Sequence, residues 1–219
     1  MLFDLRSRHR RRAVQFIYLG LAVVMGGGLI LFGVGTGSGN GGLLNAFTGS
    51  GSNNQGSVVS SQEKAALKEV KADPNSAAAW AALEDARFTN ASTNGYDSST
   101  SSYTAEGKKE LAGVTAAWER YSQLTKTPTA NLAILAANAY GSLAQYSQEA
   151  QAWQAETNAD PSEVKGFECL AISAYAAKQT RLGDLASAKA ATMVPKASRK
   201  SLTSEIATAK TEPALAQSC

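Results

Sequence analysis

The alternation of apolar and polar positions divides the chain into three regimes. From Ala13 to Gly35 the sequence AVQFIYLGLAVVMGGGLILFGVG runs without a single charge. As a helix it spans ~34 Å at about 1.5 Å per residue, enough to cross a bilayer core. From Thr36 to Val59, Gly, Ser and Asn dominate and apolar periodicity disappears, which predicts a flexible tether. From Ser60 onward apolar residues recur at spacings of three and four, the mark of amphipathic helices. The stripes are Leu67 with Val70, Trp80 with Leu83, and Leu111, Val114, Trp118, Tyr121 and Leu124. Further on come Ala133, Ala136, Ala137 and Tyr140, then Ala150 with Trp153, then Phe167, Leu170 and Ala171, and finally Leu202, Ile206 and Ala209. No strand-like run interrupts them, so the expected fold class is all-α.

Helix punctuation adds a period. Thr127-Pro128, Asp160-Pro161 and Val194-Pro195 place prolines at a nearly constant interval. That interval matches the period of about 34 residues that marks a stacked helix–turn–helix repeat. Asp73-Pro74 reads as an N-cap residue followed by Pro at the first helical position, and Asp160-Pro161-Ser162-Glu163 reads the same way. Ser60-x-x-Glu63 is a capping box that opens the first helix. Pro74 and Pro128 lie further apart, by one period plus the Ser, Thr and Asn-rich stretch Thr89–Thr104. That stretch is expected to be an inserted mobile loop. The inner turns are expected near Gln145 and at Gly183-Asp184. About three helix pairs result, with a helix at 61–72 and a last one through Leu202, Ile206 and Ala209 to about Lys210 covering the open ends. The layout is then a basic head (1–12), a membrane helix (13–35), a linker (36–59), a helical domain (60–210) and a tail (211–219).

Charge fixes an orientation. Residues 1–12 hold Arg6, Arg8, Arg10, Arg11 and Arg12 against Asp4, whereas basic and acidic residues nearly balance in the remainder. The Arg cluster on one flank, and no Lys or Arg between the span and Lys64, place the N-terminus in the cytoplasm and the domain outside the cytoplasmic membrane. A cleaved signal peptide would have a shorter apolar core and an A-x-A-like site. Within the span, Ala22 and Gly26 form a small-xxx-small pair that suits a partner helix. The near-neutral domain offers no electrostatic basis for nucleic-acid binding.

Candidate chemistry is sparse. The only His is His9 in the basic head, so no Ser/His or Cys/His pair can form in the domain. Gly37-x-Gly39-x-x-Gly42 lacks a preceding strand and is linker composition. Asp97-Ser98-Ser99-Thr100-Ser101 fits a metal-binding string but lies in a polar loop. Cys169 falls in a helix as a buried thiol, and Cys219 is remote in sequence; a bridge between them is open if the domain is exported. Acidic residues fall at helix starts and on outer faces, where capping and solvation explain them. The chain is expected to be no enzyme and to need no metal, cofactor or small-molecule substrate.

Residues 60–210 resemble tetratricopeptide-repeat (TPR) proteins. Phe167-x-x-Leu170-Ala171 with Pro195 carries the pattern best. Ala133, Ala136, Ala137, Tyr140, Trp153 and Pro161 fill the same places one period earlier. Trp80-x-x-Leu83 opens a degenerate first unit, in which Glu84 and Arg87 replace the small residue and the tyrosine. The whole layout resembles the ancillary TPR subunit of the bacterial Sec translocon, which helps newly exported chains fold. The anchor is similar to those of membrane-bound peptidyl-prolyl isomerases and actinobacterial TPR proteins. The resemblance implies a concave face built from the first helix of each unit, here Asp85, Asn131, Ile134, Asn138, Lys165, Glu168 and Ile172, with Tyr175 directed toward the groove. The implied partners are other proteins or peptides, bound by a scaffold or holdase at the outer face of the membrane. Assembly of an envelope complex through the membrane helix, or regulation of a membrane enzyme, are the alternatives.

Overall fold

The computed structural model describes residues 55–219. The head, the proposed membrane span with Ala22 and Gly26, and the linker as far as residue 54 lie outside the described residues. Among the described residues, no helix is long and apolar enough to cross a membrane.

The described chain is helical throughout, apart from one short hairpin, and its arrangement is compatible with an α-solenoid. In order it forms α1 (Gln55–Ala72), α2 (Ala77–Asn94), strands β1 (Tyr96–Asp97) and β2 (Ser102–Tyr103), α3 (Ala105–Leu124), α4 (Ala130–Ser142), α5 (Tyr146–Ala159), α6 (Val164–Ala176), α7 (Thr180–Met193), α8 (Lys196–Thr208) and a 3-10 helix (Pro213–Ser218). Three antiparallel helix pairs, α2/α3, α4/α5 and α6/α7, stack in sequence order. α4 and α6 begin one period apart, as do α5 and α7.

The two inner turns of the later pairs repeat atom for atom. Ala144 and Lys178, again one period apart, adopt left-handed φ values of 55° and 61°. In the first, the Gln145 amide donates to the Tyr140 carbonyl at 2.8 Å; in the second, the Gln179 amide donates to the Ala174 carbonyl at 2.8 Å. Such bonds satisfy helix-end carbonyls that would otherwise lack partners. The expected turn at Gly183-Asp184 is therefore corrected. Gly183 lies inside α7, and the chain turns at Ala177–Gln179 instead.

Gly183 serves packing, and the same place one period earlier shows how. A Cβ on Gly183 would overlap the Tyr175 ring. In the preceding unit the equivalents are Glu149 and Gly141, and there a Cβ on Gly141 would stand 3.1 Å from Glu149 Cδ. The large residue moves from the second helix to the first and the glycine moves the other way. Each pair sets one large side chain against a glycine, which is how the two helices approach without overlap.

The proline signals mark the turns but not the first helical residues. Asp73 Oδ1 accepts the Asn75 amide at 3.0 Å, and Ser76 is the N-cap, accepting the Ala79 amide at 3.2 Å. Likewise Asp160 Oδ1 accepts the Ser162 amide at 3.1 Å, while Glu163 caps α6. The short side chain of each Asp bonds its own backbone two residues on and holds a turn ahead of the helix. The capping box at Ser60 is also corrected, because α1 is already running from Gln55.

The insertion is ordered and attached. α2 continues to Asn94, and a short antiparallel ladder pairs Tyr96 with Tyr103. Backbone crosses backbone at its base, since a Cβ on Gly95 would overlap Gly107 Cα, and the Thr104 amide donates to the Gly95 carbonyl at 2.8 Å. Asp97 closes the hairpin, its Oδ1 accepting from the Ser99 amide at 2.8 Å and the Ser99 hydroxyl at 2.6 Å.

The main core gathers Trp118, Tyr121, Tyr140, Trp153, Leu170 and Ile172 among many alanines. Small residues let the helix axes approach while the aromatics fill the spaces between. α1 covers one end through Ala66 and Val70 against Leu83, as expected of a terminal helix. α8 closes the other end through Ile206, which is fully buried.

Candidate first-helix binding face

The first helices of the three pairs are α2, α4 and α6. Asp85 on α2 and Asn131 on α4 are exposed, and Ile134 and Asn138 are half-buried one and two turns further along α4. On α6, Lys165 is exposed and pairs with half-buried Glu168 at 3.2 Å, an i,i+3 contact on one helix. These six positions carry the polar, mixed character expected of the face.

Ile172 and Tyr175 do not. Both are buried in the main core cluster, with Ile206, Ala209 and Ala216 from the C-terminal segments. The Tyr175 hydroxyl donates to Asp184 Oδ1 at 2.6 Å, and Lys210 Nζ lies 4.2 Å from the ring centroid. Burial, then the Asp184 carboxylate, pushes the Tyr175 hydroxyl up; the same hydrogen bond, with Lys210 beside it, holds Asp184 below the usual carboxylate range. Tyr175 thus ties α6 to α7 and to the residues after α8. The aromatic ring needs the absent Cβ of Gly183, so the ring direction follows from packing within the unit.

The cover over this part of the face comes from residues 211–219. The 3-10 helix packs on both α4 and α6. Ala216 is buried, and its carbonyl would stand 3.2 Å from a Cβ on Gly141. Gln217 Nε2 donates to the Tyr146 hydroxyl at 3.1 Å. Cys219 forms a disulfide with Cys169 of α6, the two Cα atoms 5.5 Å apart. Of the two readings open for Cys169, a buried free thiol and a bridge to Cys219, the bridge is the one formed. Closing a loop of 50 residues contributes ~4 kcal/mol on the chain-entropy model. Beside the segment lies a cleft of about 670 Å³. Its walls are the hairpin (Tyr96, Tyr103), Lys108, the α4–α5 turn (Ser142, Leu143) and the segment itself (Ala214, Gln217).

Three carboxyl groups are buried, contrary to the expectation that acidic residues cap helices or face solvent. Glu84, Glu149 and Glu156 have almost no exposed surface. Both oxygens of Glu84, Oε2 of Glu149 and Oε2 of Glu156 have no hydrogen-bond partner among the described residues. Glu149 Oε1 accepts from Trp153 Nε1 at 3.4 Å. Burial raises Glu84 to about 9, with Asp85 adding to it; burial raises Glu149 to about 8 and Glu156 to about 7. Glu84 and Glu149 are therefore mostly uncharged acids in the folded chain up to neutral pH, and Glu156 at acidic pH, since the charged form resists leaving water. The signal for all three was in the period. Glu149 and Glu156 stand one period before Gly183 and Ala190, and Glu84 on α2 holds the place of Ala137 on α4, counted from the start of each helix. All are places that take small residues.

Arg87, the other departure in the first unit, is a structural tie. Its Nε donates to Glu63 Oε1 of α1 at 3.2 Å and its Nη1 to the Gly113 carbonyl of α3 at 3.1 Å. It joins the covering helix to both members of the first pair.

No family model matches the chain, and no curated protein is similar to it.

Proposed function

We propose that the chain is a membrane-anchored, non-enzymatic polypeptide-binding module of the TPR kind. Its first-helix face holds segments of other proteins at the outer side of the cytoplasmic membrane, as a scaffold or chaperone-like holdase. The observation that carries this reading is the open strip on α4, where Asn131, Ile134 and Asn138 lie on successive turns of a helix otherwise packed into the core. An isoleucine between two side-chain amides suits a peptide, because the amides pair with backbone groups while the isoleucine takes an apolar side chain. Asp85, Lys165 and Glu168 flank the strip with both signs of charge, so binding rests on shape and burial more than on electrostatic attraction. Affinity is then moderate and weakly dependent on salt. Tethering raises the local concentration and offsets weak affinity.

Two observations support the exported location. The Arg-rich head precedes an uncharged span, and disulfides such as Cys169–Cys219 persist in oxidising compartments. The alternative, assembly through the membrane helix at Ala22 and Gly26, is separated by exchanging that helix for an unrelated one. The test of the main reading places Arg at Ile134 and at Asn138 in the full chain, with circular dichroism as the check on fold. Loss of captured proteins with an unchanged spectrum is the expected result. Unchanged capture by a folded double variant would move the binding surface elsewhere.

A further inference from the structure

The part of the first-helix face on α6 is occupied by the chain's own residues 213–219. Pro213-Ala214-Leu215-Ala216-Gln217-Ser218 is a short, uncharged segment of mostly small residues. It lies across two successive first helices, in the way a bound peptide would, and carries Ala216 against the Gly141 backbone. Among the described residues it is fixed at two points beyond that packing, the Gln217–Tyr146 hydrogen bond and the Cys169–Cys219 disulfide. Its other members are half exposed: Leu215 and Cys219 retain solvent contact, and Ala214, Gln217 and Ser218 are open to it and border the adjoining cleft. Ala216 alone of the segment is fully buried; Leu215 and Cys219 pack against the main core at its edge, as Leu202 of α8 does.

We propose that this segment is a displaceable occupant of a peptide site, and that the site takes short uncharged segments rich in small apolar residues, latched shut by the Cys169–Cys219 disulfide. The inference extends the first-helix reading from α4 to α6. Opening requires a dithiol. One of its thiolates attacks Cys219 Sγ, since Cys169 is fully buried and Cys219 is only half-buried. The Cys169–Cys219 bond breaks, and Cys169 leaves as a thiolate and takes up a proton. The second thiol of the reductant resolves the mixed disulfide, releasing Cys219 as a thiol and the reductant as its own disulfide. The freed segment then competes with outside peptides at high effective concentration, so the site opens gradually and favours tight or abundant ligands.

The test uses the full chain and two readouts. In the first, amide exchange and Cys169 alkylation are followed before and after reduction and in Cys219→Ser. Displacement predicts at least a tenfold rise in exchange over residues 211–219 and alkylation of Cys169, with α4 and α5 amides unchanged. Unchanged exchange over 211–219, or a parallel rise throughout α4 and α5, would show the segment to be part of the core and would overturn the proposal. In the second, Cys219→Ser is offered the peptide PALAQSC as an activated disulfide, so that capture on Cys169 is covalent and competition by the tethered segment slows it without hiding it. At least tenfold faster capture than a scrambled peptide with the same terminal Cys is expected. Equal rates with an intact fold would show that the surface reads no peptide and would overturn it. Arg at Ile134 and Asn138 leaves residues 211–219 untouched, so the two readings fail separately.

Discussion

Glu84→Gln removes one buried proton site and should make the helical domain markedly less sensitive to pH. Glu84 is 0% exposed and neither of its carboxyl oxygens has a hydrogen-bond partner among the described residues. Its folded-state value of about 9 stands above an ordinary 4.5. The sign follows from which state holds the proton. Between those two values the folded chain keeps Glu84 protonated and the unfolded chain releases it. The stability Glu84 contributes is thus fully present below about pH 4.5 and is lost progressively as pH rises toward about 9. One proton held only by the folded state costs about 1.4 kcal/mol per pH unit. From pH 5.5 to 7.5 the native chain should therefore lose roughly 3 kcal/mol more than Glu84→Gln does. Gln keeps the shape and titrates in neither state, so the comparison isolates the proton. The assay is urea unfolding of both proteins at the two pH values, followed by circular dichroism. Glu149 and Glu156 add their own pH dependence equally to both, so the difference between the proteins is the quantity that counts. Parallel pH profiles would refute the assignment of Glu84 as a buried, uncharged acid.

Other outcomes follow from packing. Trp153→Ala should destabilise by about 3–5 kcal/mol, since a ring buried between α4 and α5 leaves a cavity; a midpoint shift worth less than ~0.5 kcal/mol would break the repeat register. Gly183→Ala gains up to ~1 kcal/mol of helix propensity yet should destabilise, because its methyl overlaps the Tyr175 ring; adding Tyr175→Ala should recover part of the loss, and simple additivity would contradict the contact. Amide exchange should be slow at Thr104, bonded to the Gly95 carbonyl, and fast at Ser98, Thr100 and Ser101; fast exchange at Thr104 would detach the hairpin from the helices.

The helix pairs were legible because their signals are local and periodic. Apolar spacing placed α3 to α7, the turn near Gln145 was found, and Ile206 and Ala209 marked the closing helix. The errors came from residues whose role depends on what stands across from them. Gly183 reads as a turn residue, and only the Tyr175 ring explains it as a contact residue inside α7. Glu84, Glu149 and Glu156 read as solvated because carboxylates usually are, although each occupies a position where the repeat takes a small side chain. On the candidate face, Asp85, Asn131 and Lys165 are exposed. Ile172 departs from the face for a different reason: it shares the main core with Ile206 of α8 and with Ala209 and Ala216 beyond it, and no local pattern on α6 says where those residues return. The Asp-Pro signals were displaced by two or three residues because a side-chain turn and a helix cap use the same residue types.

The proposed function requires that polypeptides bind the first-helix face of the helix pairs. A photo-crosslinking residue at Asn131, exposed on α4, tests this against one at Gln154, exposed on the second helix of the same pair. Both positions tolerate the change, since neither side chain has a core partner. Illumination of cells carrying each full-length variant should give protein adducts from position 131 and few or none from position 154. Arg at Ile134 should abolish the adducts at 131. Adducts of equal yield from both positions, or from 154 alone, would contradict the assignment of the first-helix face as the binding surface.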